Sequence, residues 1–381
     1  MEKIVNNVCN IRIDNSYKSF GEATHEANNK TNMLDVDFNI NGIYDEVLII
    51  TDQNVYNEQL HKFVNNIRAN SIYEYIVPSG ENSKSIDTYE EIIRFCIRIN
   101  LSRKSLIIAL GGGVVGDLAG YIAATYMRGI DVIQVPTSLL AQVDSSVGGK
   151  CGINLGNFKN IIGSFYQPKL TYINVKALKT LPEEEFISGM AEVIKYCIIY
   201  DYEFLDYLIE NSEDILDRES ENLEYIVKKC VSIKAEVVEN DEKEGGIRKI
   251  LNFGHTFGHG VEKLCGISHG YAVSIGMNMA FKLAIEENFV SKEYYNKFLK
   301  VCEEFKLPLK FEIPTYEEDI DLDEKNNETI EKEILNLMKS DKKNSFGKIN
   351  FILPVGKSMV DEVNNIDENK ILKVIKECHN A

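Results

Sequence analysis

The sequence predicts an α/β, Rossmann-like N-terminal domain (residues 1–178) followed by a mainly α-helical C-terminal domain (179–381). Three observations lead to this. Short β-branched runs alternate with helical stretches in the first half. Long helical patterns replace them after about Leu181. A glycine-rich turn, Gly111 to Gly116, directly follows a continuous apolar run. Strand–helix alternation favours a mostly parallel sheet covered on both faces.

The strands are expected at VLII (47–50), IYEYIV (72–77), SLIIAL (105–110), VIQVP (132–136) and LTYIN (170–174). Segments 55–68 and 83–99 between them read as helices. Pro182 followed by Glu183, Glu184 and Glu185 is a helix start, since acids favour the positive end of the helix dipole. Further helices are expected at 202–210, 221–240, 253–265, 270–287, 291–304 and 327–339, with one late strand at 347–354. There is no internal repeat. The Asn-rich stretches near the N-terminus and DLDEKNNE (321–328) read as surface loops.

Hydrophobic residues make up 44% and charged residues 27%, ordinary globular values. The net charge of −17 argues against a nucleic-acid partner, which calls for a basic footprint. An anionic small molecule would need a local basic cluster inside this acidic shell. No apolar run reaches the roughly 18 residues that span a bilayer, and the N-terminal stretch has no apolar signal core. The eight cysteines form no CxxC pair, so they are expected as buried, reduced thiols of a cytoplasmic protein.

Gly111, Gly113 and Gly116 spell G-x-G-x-x-G between a strand and a helix, the context for a pyrophosphate at a helix N-terminus. The acid usually found about 20 residues on is missing. Asp131 precedes the next strand instead, and Asp117 is the better candidate for a cofactor contact. A tight turn without a ligand is the competing reading. The stretch 142–165 holds five glycines, Asp144, Lys150 and Lys159. Small residues flank each charge, which favours an anion site over a solvated loop. Lysine is a compact cation suited to phosphate and carboxylate.

Glu192, His255 and His269 have the composition of a catalytic metal site: two imidazoles, one carboxylate and an open fourth position. His255 and His259 are four apart and share a helical face. From spacing alone His259 competes with His269 as the third ligand. Three of the six histidines fall within 255–269; His25, His61 and His379 read as surface residues. Lys195, Lys234, Arg248, Lys342 and Lys343 supply positive charge in the helical half, and Arg248 suits bidentate carboxylate capture. Arg248, Asn252 and His255 could line one wall.

Four long motifs, GGGVVGDLAGYIAATYMRG, VPTSLLAQVDSSVGGKCGINLGNFKNIIGSFYQP, GMAEVIKY and LNFGHTFGHGVEKL, make the chain resemble the 3-dehydroquinate synthase family of sugar-phosphate cyclases over about residues 45–355. The resemblance implies NAD, a divalent metal (zinc or cobalt), a homodimer and an active site between the two domains. It implies Glu192, His255 and His269 as metal ligands and moves His259 to the substrate. It further implies substrate contacts at Asp144, Lys150, Asn160, Lys195, Lys234, Arg248, Asn252 and Lys342. Lys159 would lie near the nicotinamide, and Arg128 would reach a neighbouring subunit's phosphate site. The implied cofactor contacts are Asp52, Asn54, Glu81, Lys84, Gly113, Val114, Asp117, Thr137, Ser138, Lys150, Lys159, Thr180 and Leu181.

The implied reaction converts 3-deoxy-D-arabino-heptulosonate 7-phosphate, a phosphorylated sugar acid, to 3-dehydroquinate and phosphate, a step toward aromatic amino acids. It comprises an alcohol oxidation, a phosphate elimination, reversal of the oxidation and an intramolecular aldol closure, so NAD is used but not consumed. Alternatives are another cyclase, for instance one making amino-dehydroquinate, a metal-dependent polyol dehydrogenase that would release NADH, and a catalytically silent NAD-binding protein.

Overall fold

The computed structural model describes residues 2–27, 44–67, 69–156, 158–313, 330–339 and 349–380, with side chains from 25 to 27 left out. Lys342 and Lys343 lie outside the described residues, as does the side chain of His25. The chain packs as two compact units. The first is Met1–Phe186 with Arg218–Lys243, the second Ile187–Asp217 with Glu244–Ala381.

The first unit is built on a seven-stranded sheet. Its strands are β1 (Glu2–Val5), β2 (Asn10–Asp14), β3 (Val47–Asp52), β4 (Ile72–Val77), β5 (Leu106–Gly111), β6 (Asp131–Pro136) and, after an intervening hairpin, β9 (Leu170–Asn174). Their spatial order is β1-β2-β9-β6-β5-β3-β4. All neighbours run parallel except β1 against β2. Every residue of β5 is buried, so its sequence shows no polar alternation, as a strand covered on both faces requires. Leu48, Ile50, Ile107 and Val132 fill one face; Ile49, Leu106, Ile108 and Val135 fill the other. Each such side chain contributes about 1.5–3 kcal/mol by leaving water.

Two sequence expectations are corrected here. The first strand is expected at 47–50, but β1 and β2 precede it; Ile11 and Ile13 are buried where β2 pairs with β9, and Asn6 and Asn7 lie in the turn between β1 and β2, while 28–43 and 321–328 lie outside the described residues. The glycine-rich stretch 142–165 contains an antiparallel hairpin, β7 (Lys150–Leu155) with β8 (Phe158–Phe165). Gly120 on the helix Gly113–Thr125 packs against this hairpin: a Cβ there would lie 2.9 Å from that of Cys151. Burial pushes the Cys151 thiol up to about 12, and all eight cysteines are buried and free.

The parallel strands point their C-terminal ends the same way. β3 is flanked by β4 on one side and β5 on the other, and the chain reverses direction of winding between β3 and β5. Such a switch point is where open α/β sheets bind ligands. The helix Ser220–Asn240 follows the change in sequence texture near residue 178 but packs in this first unit.

The second unit is helical: Tyr202–Glu210, Ser212–Leu216, His255–Cys265, His269–Glu286, Lys292–Glu304, Ile330–Lys339 and Glu368–Glu377, with most of Glu183–Ile199. A hairpin of β10 (Phe351–Gly356) and β11 (Met359–Val363) completes it. Asp201, Ser291 and Asp367 each accept a backbone N–H at a helix start. The helices His255–Cys265 and His269–Glu286 are pressed together at glycines. A Cβ on Gly276 would lie 2.0 Å from the Gly254 carbonyl oxygen, and one on Gly270 would lie 1.8 Å from that of Ser188. Glycine is the residue that permits such backbone approach. This contact fixes the first residues of both helices, His255 and His269, relative to the helix carrying Glu192.

Candidate metal centre and nucleotide strip

Within the second unit the ligand atoms of Glu192, His255 and His269 all lie within 4.8 Å of one another. Glu192 Oε1 is 3.6 Å from Nε2 of His255 and 3.6 Å from Nε2 of His269. The two rings stand 5.2 Å apart by centroid. The His259 ring is 5.5 Å from that of His255 and 6.3 Å from that of His269, beside the cluster rather than in it. The distinction that spacing left open is thus drawn by chain reversal: residue 269 returns on a second helix.

The donor set suits a divalent cation. Each imidazole has Nδ1 engaged, His255 with the Phe253 carbonyl at 3.1 Å and His269 with Glu262 Oε2 at 3.1 Å. A hydrogen bond at Nδ1 sets the tautomer that presents the Nε2 lone pair to an ion. Glu192 is fully buried and pairs with Lys195, itself 1% exposed. Buried charges of this kind require partners, and a cation between the three donors supplies one.

Burial disfavours charge on His269, yet hydrogen bonds to Glu192 and Glu262, with their charges, raise its imidazole to about 9. Two consequences follow. A metal must displace that proton, so the apparent Co²⁺ affinity of metal-free protein is expected to climb about tenfold per pH unit up to about pH 9 and then level off. Co²⁺ titrations at a series of pH values check this. In metal-free protein the shift adds stability that is complete below the unfolded value near 6.5 and is lost as pH rises through about 9.

Arg248, on the turn of helix Ile247–Asn252, is 1% exposed. Asn252 ends that turn and donates to Glu244 Oε1 at 2.8 Å.

In the first unit the expected nucleotide residues gather at the C-terminal ends of the parallel strands. Asp52 ends β3 and Asn54 follows it; Glu81 and Lys84 follow β4; Gly113, Val114 and Asp117 follow β5; Thr137 and Ser138 follow β6; Thr180 and Leu181 follow β9. Gly116 sits where a Cβ would lie 2.9 Å from Gln134 Oε1, so the third glycine of the turn lets the helix close on β6. Lys84 Nζ donates to Asp117 Oδ2 at 2.6 Å. Burial raises the Asp117 carboxyl above its ordinary range, against the pull of Lys84. Asn154 ties this strip to the hairpin. Its amide donates to Glu81 Oε1, its backbone N–H to the Lys84 carbonyl, and its side-chain oxygen accepts from the Asn160 N–H, each at 2.8 Å.

Lys234 Nζ donates to the Asp144 carbonyl at 2.7 Å and lies 3.0 Å from its carboxylate. Lys150 and Lys159 are exposed, Lys150 directly after Gly148 and Gly149 with φ of 96° and 66°. Arg128 is exposed too, and it and Met127 adopt left-handed φ of 69° and 48°. Such strain, of order 1–3 kcal/mol per residue, concentrates at functional positions. Asp52 has a structural task not foreseen: its Oδ1 accepts from the N–H groups of Asn54 and Val55 and from Ser79. Thr180 is likewise bonded to Gln59 at 2.6 Å. Sequence reading missed Glu262 and Asn154; Glu262 lies seven residues after His255, on its helical face. His379, expected on the surface, is half-buried and stacked on Phe311 at 5.0 Å.

Two family models match the chain: 3-dehydroquinate synthase N-terminal over residues 74–188 and 3-dehydroquinate synthase C-terminal over 189–344. A 3-dehydroquinate synthase of Caldanaerobacter subterraneus is 46% identical over 338 residues, covering 87% of this chain and 90% of the relative. The chain belongs to the 3-dehydroquinate synthase family. As a member it is an enzyme, of the lyase-type cyclases. Among solved structures, a 2-epi-5-epi-valiolone synthase of Streptomyces hygroscopicus, with NAD⁺ and Zn²⁺ bound, superposes with a TM-score of 0.80 at 21% identity, covering 99% of this chain and 98% of that one. A 2-deoxy-scyllo-inosose synthase complexed with carbaglucose-6-phosphate, NAD⁺ and Co²⁺ gives 0.79 at 22% identity, covering 98% and 100%. At these identities the family shares its fold with both.

Proposed function

We propose that this chain converts 3-deoxy-D-arabino-heptulosonate 7-phosphate to 3-dehydroquinate and phosphate, using NAD catalytically with a divalent zinc or cobalt ion. The observation that carries the reading is the convergence of Glu192 and both Nε2 atoms, 3.6 Å apart, in a chain 46% identical to a synthase of that name. Glu192, His255 and His269 hold the metal; residues at the strand ends hold NAD. The functional boundary lies near residue 178, with the helix Ser220–Asn240 packed back on the nucleotide half.

When bound, the metal supplies Lewis acidity toward the hydroxyl being oxidised, and NAD supplies reversible hydride acceptance. The protein's own groups do the rest. Lys150 and Asn160 hold the substrate phosphate and stabilise its negative charge as it leaves. The left-handed Asn160 presents its backbone and side chain in a fixed direction because its N–H is held by Asn154. Arg248 takes the carboxylate in a bidentate pair, which favours a substrate carrying both anions. The buried Lys234 and the partly buried Asp144 form an ion pair that orients substrate hydroxyls, with Lys159 as a further contact. The basic groups provide the local attraction that a chain of net charge −17 otherwise lacks.

The enzyme acts as a cytoplasmic homodimer, Arg128 entering the phosphate site of a second copy. Supporting this, Leu155, Phe158, Ile161 and Phe165 on the β7–β8 hairpin and Met127 beside Arg128 are all exposed apolar side chains. Such apolar surface marks interaction sites. Among the described residues no helix is long and apolar enough to cross a membrane. Chelator-treated enzyme should lose activity and regain it with Zn²⁺ or Co²⁺. Glycerol with NAD should give no NADH; its accumulation would indicate a polyol dehydrogenase instead.

A further inference from the structure

We propose that Glu262 is a positioning residue for the metal centre, clamping His269 through Nδ1 so that Nε2 faces Glu192. The proposal rests on the reading of Glu192, His255 and His269 as metal ligands. Glu262 Oε2 lies 3.1 Å from His269 Nδ1, and its side chain is only 11% exposed. It stands two turns after His255 on one helix, so a single helix face supplies one ligand and the clamp on another.

The two imidazoles are held differently. His255 Nδ1 faces a neutral backbone carbonyl, at Phe253. His269 Nδ1 faces a carboxylate. A charge-assisted hydrogen bond is roughly twice as strong as a neutral one, and it makes the opposite nitrogen a better donor. His269 is also the more exposed of the pair, 33% against 12%, with less packing to hold its ring. A strong directional clamp is needed there more than at His255. Glu262 adds a second negative charge beside Glu192, while Lys195 offsets one. Two carboxylates and one ammonium leave a net charge of −1 for a divalent cation to meet.

The test uses the full chain freed of metal. Co²⁺ is titrated into wild type, E262Q and E262A at pH 7, and its visible absorption bands give both Kd and ligand geometry. E262Q keeps volume but loses charge; its Kd is expected to rise about tenfold, with shifted bands. E262A loses the clamp altogether and is expected to weaken by about a hundredfold. Thermal melts of the metal-free variants identify any that fail to fold. Wild-type affinity and spectrum in E262Q would reduce Glu262 to packing and overturn the proposal. Failure of wild type to bind Co²⁺ would instead remove the metal centre itself, and the clamp with it.

Discussion

Glu192→Gln is expected to lose tight metal binding and to lower kcat/KM by roughly 10³-fold or more, beyond the 10–100-fold cost usual for groups outside the ligand shell. The amide preserves shape but offers a neutral oxygen in place of the one anionic ligand. Two imidazoles remain, too few for a site of three protein donors. A second effect is on stability. Glu192 and Lys195 are 0% and 1% exposed and form an ion pair one helical turn apart. Removing one member of a buried pair strands the other charge, at a cost of about 3–5 kcal/mol. The two effects separate in the double variant Glu192→Gln/Lys195→Met. With both charges gone, most stability should return while metal binding does not. Urea denaturation and metal content after dialysis read the two quantities independently. Retained stoichiometric Zn²⁺ in Glu192→Gln would remove this residue from the ligand set.

Arg248→Ala is expected to raise KM by about 10²–10⁴-fold, since two charge-assisted hydrogen bonds to the substrate carboxylate are worth about 1.5–3 kcal/mol each. The change in kcat should be much smaller, because the carboxylate carries the same charge in ground and transition states and its binding is uniform. Arg248 is among the largest fully buried side chains, so the alanine also leaves a void. Arg248→Lys guards against that ambiguity. It retains the charge but not the planar fork, and an intermediate rise in KM of about tenfold is expected. Unchanged KM and kcat in both variants would place Arg248 outside the substrate site.

Both effects concern residues whose chemistry was readable in sequence, whereas their arrangement was only partly so. The strands at 72–77 and 170–174 match the expected bounds, the second because a parallel strand buried on both faces carries no polar alternation, the first, on the sheet edge, because its β-branched and aromatic residues mark a strand even where half exposed. The helix 202–210 was equally legible, opened by the capping Asp201. The β7–β8 hairpin was not: glycines at 148, 149, 152, 156 and 163 break the alternation that marks a strand. Nor could periodicity show where the helix Ser220–Asn240 packs. It gives a helix an apolar face but does not say which neighbour covers it. At the metal centre, local spacing left His259 and His269 as rivals for the third ligand. The cluster is made instead by contacts across 14 and 63 residues of chain, which glycine-tight helix packing closes. Glu262 carried a signal that went unread, its seven-residue offset from His255.

One assay bears most directly on the account. The protein is mixed with NAD, Zn²⁺ and 3-deoxy-D-arabino-heptulosonate 7-phosphate, and phosphate and NADH are followed together. The predicted result is phosphate released in proportion to substrate, no net NADH, and complete loss of turnover with a chelator. Net accumulation of NADH, or phosphate release that a chelator leaves untouched, would contradict it.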